Sequence, residues 1–268
     1  DKDETKEAET PVTLPDFMEI SLEEPNVRIL DIAEAKFDDG EWQAEDEVLR
    51  IDNKFREIAG YQPRMDAFPQ PWVFPDTEEI KHKLSLRFRI YSEVAVKAPL
   101  LALEQANKTK LYLNGQEASS EIRGYFTDRS IQTVTLPDLR PGENILIAEM
   151  PYYNKFNVEA MYLLGDFGVK VAGRHCMLTA PVQKLAFGDV CTQGLPFYGA
   201  SITYKMPVTI SKDCSLKVSV TQFRCPVMSV ALDGRECGNI ALSPYELVIK
   251  DVAAGEHLLE ITAFGNRI

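Results

Sequence analysis

The residues best able to do chemistry in this sequence combine aromatic rings with charged groups over short spans. Arg123-Gly124-Tyr125-Phe126-Thr127-Asp128-Arg129 sets two rings between a guanidinium and a carboxylate, and Glu159 precedes Tyr162 by three positions. A ring can stack on the apolar face of a pyranose while carboxylate and guanidinium groups fix the hydroxyls around it, so this inventory suits carbohydrate recognition. Arg123, Tyr125, Phe126, Asp128, Glu159 and Tyr162 are the candidate ligand-binding residues. The competing reading is packing, with Tyr125 and Phe126 capping a core and Asp128 paired to an arginine. Gln193 with Phe197 and Tyr198 forms a third group of the same kind, and Trp42 and Trp72 read as packing residues between segments.

Motifs for other chemistry are absent. Glycoside cleavage needs two carboxylates about 5 to 9.5 Å apart across the scissile bond, and among 41 acids no spacing marks such a pair. A self-sufficient hydrolase would hide it in the acidic N-terminal third, where Asp38 and Glu41 are the residues to test. His-Glu-x-x-His, Gly-x-Ser-x-Gly, Gly-x-Gly-x-x-Gly and the phosphate-loop pattern do not occur. His82, His175 and His257 stand apart beside alternating strands and read as surface or strand-edge histidines. Cys176, Cys191, Cys214, Cys225 and Cys237 are odd in number and contain no Cys-x-x-Cys pair, which fits neither a disulfide framework nor a zinc site. They read as reduced, small packing residues, which favours a reducing, cytoplasmic compartment. No catalytic residue and no cofactor is expected; loop carboxylates and carbonyls could hold a structural Ca²⁺, although no Asp-rich loop marks one.

Charge narrows the partners. The net charge is −12, and the first 50 positions hold 17 acids against 5 basic residues, with the remainder balanced at 24 of each. Without a basic excess to meet phosphates, nucleic-acid binding is disfavoured. Apolar runs are short and strand-like, well below the roughly 20 residues of a helical membrane span. Asp1–Thr10 reads as a solvated acidic tail, and a chain beginning at Asp1 reads as part of a longer polypeptide.

The elements that must position these residues are mostly strands. Leu84, Leu86, Phe88 and Ile90 alternate with polar neighbours, as do Ile202, Tyr204 and Met206, which is the period of a half-buried strand. Glu45–Ala59 differs: apolar residues fall near i, i+3, i+4 and Gly60 follows, so this segment is expected to be a helix. Pro63–Pro75 is expected to be extended. One unit is stated twice: Leu111-Tyr112-Leu113-Asn114-Gly115 with Pro141-Gly142-Glu143, and Val230-Ala231-Leu232-Asp233-Gly234 with Ala254-Gly255-Glu256. The copies differ by length, 27 residues from Gly115 to Gly142 against 21 from Gly234 to Gly255, which places a longer loop around Arg123–Arg129 in the first.

The expected fold class is all-β: two tandem jelly-roll sandwiches, with a small mixed N-terminal segment containing one helix. The expected boundaries are an acidic tail or linker over 1–25, a connecting segment over 26–80, a first sandwich over 81–173 and a second over 174–268 that holds every cysteine.

Several phrases, taken in order, resemble a known family. They are Asp38-Asp39-Gly40-Glu41-Trp42, Val48-Leu49-Arg50-Ile51-Asp52, Gln70-Pro71-Trp72, Leu111-Tyr112-Leu113-Asn114-Gly115, Glu159-Ala160-Met161-Tyr162-Leu163-Leu164-Gly165, Gln193-Gly194-Leu195-Pro196-Phe197-Tyr198 and Gly265-Asn266-Arg267. From about Asn26 onward the chain resembles the C-terminal region of large bacterial glycoside hydrolases of the α-L-rhamnosidase-like kind, which carry galactose-binding-like modules of the type found in glycoside hydrolase family 2. The resemblance implies a catalytic barrel N-terminal to this region and a sequence continuing past Arg267. It carries over no catalytic residue. It implies a noncatalytic accessory region that braces the catalytic domain of the same polypeptide and contacts oligosaccharide weakly. The alternatives are the hydrolase with a hidden acid pair and a protein-binding, adhesin-like module.

Overall fold

A computed structural model of the chain describes residues 10–64 and 79–266. Two compact units emerge, both discontinuous in sequence: a first module of Pro25–Pro181 with Cys191–Phe197, and a second of Asp1–Glu24, Val182–Val190 and Tyr198–Ile268. Both are sandwich-like, with strand as the main regular structure.

In the first module, one sheet runs in the order Asn26–Leu30, Met161–Gly165, Leu100–Glu104, Asp128–Thr135, Ile122–Phe126. The other runs Gly168–Ala172, His175–Thr179, His82–Ser92, Gly142–Tyr152, Lys110–Leu113, Gln116–Glu117, and Ile32–Phe37 also pairs along His82–Ser92. Pairing is antiparallel except for a short parallel contact between His175–Thr179 and His82–Ser92. Alternation explains the core. Leu84, Leu86, Phe88 and Ile90 from one sheet meet Leu101, Leu103, Met161 and Leu163 from the other, all buried in one cluster.

The helix spans Val48–Ala59. Glu47 caps its start by accepting from the N–H groups of Leu49 and Arg50 at 3.1 and 3.0 Å, and Gly60, at φ 73°, ends it with a left-handed cap. It begins later than the spacing from Glu45 suggests, because Asp46 and Glu47 pair with Ala33 and Ile32 as a strand. Val48, Ile51 and Phe55 enter the sandwich core. The described part of 26–80 is thus no separate connector: Asn26–Leu30 pairs residue by residue with Met161–Gly165, and the helix fills the core.

In the second module, a sheet in the order Lys184–Leu185, Met18–Leu22, Ile202–Ile210, Gly255–Ala263, Met228–Leu232, Arg235–Ile240 packs with a two-stranded sheet of Cys214–Ser219 and Glu246–Val252. Ile202, Tyr204, Met206, Val208 and Ile210 are buried in strict alternation. Met18–Leu22 is a strand and not tail, since Met18 is buried and Glu19–Leu22 pairs with Ile202–Lys205. The module boundaries therefore differ from the contiguous ones read in sequence, with residues from both ends of the chain in one sheet. The cysteines divide accordingly: Cys176 and Cys191 belong to the first module and the other three to the second. All five are free thiols, half-buried or exposed, and Cys176 packs against the main core of the first module without being fully buried. Among the described residues, no helix is long and apolar enough to cross a membrane.

Candidate functional site

The stretch Arg123–Arg129 is a hairpin and not a loop. Ile122–Phe126 and Asp128–Thr135 pair at the edge of the five-stranded sheet and turn at Thr127, whose φ is 66°. Successive strand residues face opposite ways, so the candidates in this hairpin separate. Tyr125 pairs with Gln132 and is 60% exposed, and Arg123, two residues earlier, holds Glu121 at 3.0 Å. Asp128 serves its own turn, accepting from Ser130 N at 2.8 Å and Ser130 Oγ at 2.7 Å. Those two bonds hold its carboxyl below the usual range, and its partner is a serine where packing had suggested an arginine.

Phe126 takes the other direction. Its ring lies 5.4 Å from that of Tyr162, tilted by 48°. Tyr162 sits opposite Ala102 in the ladder, and Ala102 opposite Thr133, so these residues share the outer face of the five-stranded sheet. Phe126, Tyr162, Ile131 and Phe197 pack there around Val27, Ala102 and Leu164 as a small apolar cluster separate from the main core.

Polar groups border this platform at the Tyr162 end. Burial, and then the carboxylates of Glu159 and Glu104, push the Tyr162 phenol up. Arg64 donates to Glu159, to Asn157 Oδ1 and, at 2.6 Å, to Val158 O; Asn157 in turn donates to Glu104. The set of Phe126, Tyr162, Glu104, Glu159, Asn157 and Arg64 supplies a ring surface beside acceptors and donors, which is what a pyranose requires. The structure thus unites Phe126, Tyr162 and Glu159 and leaves Arg123, Tyr125 and Asp128 outside. Arg64, Glu104 and Asn157 carried no signal in the sequence, because they meet only through folding, across 93 positions for Arg64 and Asn157 and 53 for Glu104 and Asn157.

The other singled-out residues serve structure. Asp38, a turn residue at φ 51°, accepts from His82 Nδ1 and from Lys83 N, both at 2.8 Å. Burial raises its carboxyl, but those hydrogen bonds outweigh it and hold it below the ordinary value. Trp42 stacks under Arg87, 4.2 Å from the ring centre, and Arg87 grips Glu34 with both Nε and Nη2, at 2.7 and 2.8 Å. Tyr198 donates to Ser201 O at 3.0 Å and accepts from Glu24 N. Trp72 and most of Pro63–Pro75 lie outside the described residues. No three His, Cys, Asp or Glu side chains gather to hold a metal ion among the described residues.

No protein-family model and no curated protein matches the chain. Distant structural likeness exists to parts of glycoside hydrolases. A β-D-mannosidase from Dictyoglomus thermophilum is 14% identical with a TM-score of 0.28, over 90% of this chain and 31% of that one. A glycoside hydrolase family 2 β-galacturonidase from Eisenbergiella tayi, bound to glycerol, is 10% identical with a TM-score of 0.29, over 93% and 38%. A rhamnosidase from Novosphingobium sp. PP1Y is 15% identical with a TM-score of 0.24, over 80% and 22%. The chain spans less than two fifths of the length of each of these three enzymes.

Proposed function

We propose that this chain is a noncatalytic accessory region of a glycoside hydrolase, which braces a catalytic domain and contacts glycan weakly on the outer face of its first module. The observation that carries the reading is the Phe126–Tyr162 pair with Glu104 and Glu159 beside it. Half-buried rings at a sheet surface offer an apolar platform, and the flanking carboxylates, with Asn157 and Arg64, offer the acceptors and donors that orient hydroxyls. Rhamnose- and galactose-containing oligosaccharides are the substrate class to which the ordered sequence phrases point. Of the two acids singled out for catalysis, Asp38 has other work: it closes a strand end with His82 and Lys83. Incubation with a panel of aryl glycosides tests the noncatalytic half of the reading. No turnover is expected, and turnover abolished by Asp38→Asn or Glu41→Gln would overturn it.

A further inference from the structure

Arg28 is a buried cation with too few partners. Val27, its neighbour in the strand, joins the outer apolar cluster, so alternation turns Arg28 inward, opposite Leu163 of the main core. The residue keeps 9% exposure. Its Nη2 donates to Arg89 O at 3.3 Å, while Nε and Nη1 have no hydrogen-bond partner among the described residues. A guanidinium taken out of water with two nitrogens unmet is destabilising, and an anion placed against it offsets much of that penalty.

The group beside it is a thiol. Met177 and Leu178 run parallel to Tyr91 and Ser92, so Cys176, one residue before this pairing, lies along the stretch of His82–Ser92 whose Arg89 carbonyl takes the Arg28 bond. Cys176 shares the inward face with the fully buried Leu178, two residues on, and packs half-buried against the main core. The two groups act on each other. Burial pulls the guanidinium below its ordinary value, which Cys176 and then Asp31 oppose; burial pushes the thiol up, Arg28 pulls it down and Asp31 adds to the rise. A neutral thiol is a weak acceptor and leaves the two nitrogens unmet. A cysteine oxidised to an anion does not.

We propose that Cys176 is a site of oxidation by hydrogen peroxide, and that Arg28 holds the anionic oxygens of the product. The thiolate sulfur attacks one peroxide oxygen: an S–O bond forms, the O–O bond breaks, sulfur gives up two electrons, and hydroxide departs to leave a sulfenic acid on the chain. A second peroxide takes the sulfenate to the sulfinate by the same two-electron step, adding one oxygen and releasing the other as water. The sulfinate is an anion with two acceptor oxygens, which is what Nε and Nη1 of Arg28 lack. The inference is independent of the carbohydrate reading, which concerns the outer face of the same sheet.

The test uses the full chain. After exposure to hydrogen peroxide and blocking of the remaining thiols, peptide mass spectrometry should find two added oxygens on Cys176. In Arg28→Met that yield should fall about tenfold or more, with the other four cysteines unchanged. No addition at Cys176 under peroxide that oxidises the exposed Cys191, or equal addition in Arg28→Met, would overturn the inference. Because Arg28→Met could disturb the core, a second pair of variants leaves Arg28 in place: Cys176→Asp sets a carboxylate where the sulfinate would stand, and Cys176→Asn is its neutral counterpart. Followed by circular dichroism, Cys176→Asp should unfold about 3 °C or more above Cys176→Asn while Arg28 is present, and below it in an Arg28→Met background. Cys176→Asp unfolding below Cys176→Asn with Arg28 present, the result expected if water alone meets the two nitrogens, would also overturn it.

Discussion

Asp233 and Leu258 hold each other twice: Asp233 N donates to Leu258 O at 2.9 Å, and Leu258 N donates to Asp233 Oδ1 at 2.8 Å. Asn114 and Ile145 repeat the arrangement in the first module, at 2.8 and 2.9 Å. In both copies the side chain of a hairpin-turn residue secures the neighbouring strand, so one short oxygen fixes turn and register together. The difference is charge. Asp233 also takes His257 Nδ1 at 2.7 Å, and His257 reaches Ala253 O at 3.0 Å.

That charge makes the second module pH-sensitive. The hydrogen bond to Asp233, then that to Ala253 O, raises His257 above its ordinary 6.5, while the same pair lowers Asp233 below 3.8. A raised histidine contributes stability that is full below 6.5 and lost as pH climbs through its folded value. A lowered aspartate contributes stability that is full above 3.8 and lost as pH falls. The pair therefore stabilises most between these limits. Thermal unfolding should give a higher midpoint at about pH 5.5 than at about pH 8.5. Asp233→Asn keeps the Leu258 bond, as Asn114 does for Ile145, and should flatten this difference; His257→Gln should do the same.

The turns themselves demand glycine. Asn114 and Gly115 lie at φ 51° and 81°, and Asp233 and Gly234 at 53° and 76°, the two left-handed positions of a tight hairpin. A Cβ at either glycine meets nothing within 4 Å, so the penalty is conformational and not steric. Gly115→Ala and Gly234→Ala should each lower stability by about 1 kcal/mol in denaturant unfolding.

A larger loss is expected where charge is buried. Asp52 is fully buried, bound by Arg56 Nε at 2.9 Å and by the Tyr152 hydroxyl at 2.9 Å. Arg56→Met removes that carboxylate's close cation, leaving Arg64 Nη1 at 3.9 Å, and should cost about 3–5 kcal/mol, against roughly 1.5–3 for Tyr152→Phe, which removes one bond to a charged group. Burial first, and then the Asp52 carboxylate, raise the Tyr152 phenol, so its absorbance should not titrate before the module unfolds in alkali.

Periodicity made the strands and the helix legible. Leu84 to Ile90 and Ile202 to Met206 alternate in the chain and in the core, and Gly60 ends the helix where expected. Discontinuity was not legible. Nothing local in Met18-Glu19-Ile20-Ser21-Leu22 says that it pairs with residues some 180 positions away, so an acidic stretch read as a tail. The candidate site shows the same limit. Tyr125 and Phe126 are adjacent in sequence, yet strand alternation puts only Phe126 against Tyr162, and the register that decides this is set by distant pairing. Arg64, Glu104 and Asn157 converge from one strand and two separate loops and could not have been grouped by spacing.

Calorimetric titration of the chain with rhamnose- and galactose-containing oligosaccharides, repeated on three variants, tests the glycan-contact reading most directly. Weak, saturable heat is predicted for the unsubstituted chain and for Tyr125→Ala, with loss in Phe126→Ala and Tyr162→Ala. Heat that survives Tyr162→Ala, or no heat with any glycan, would contradict it.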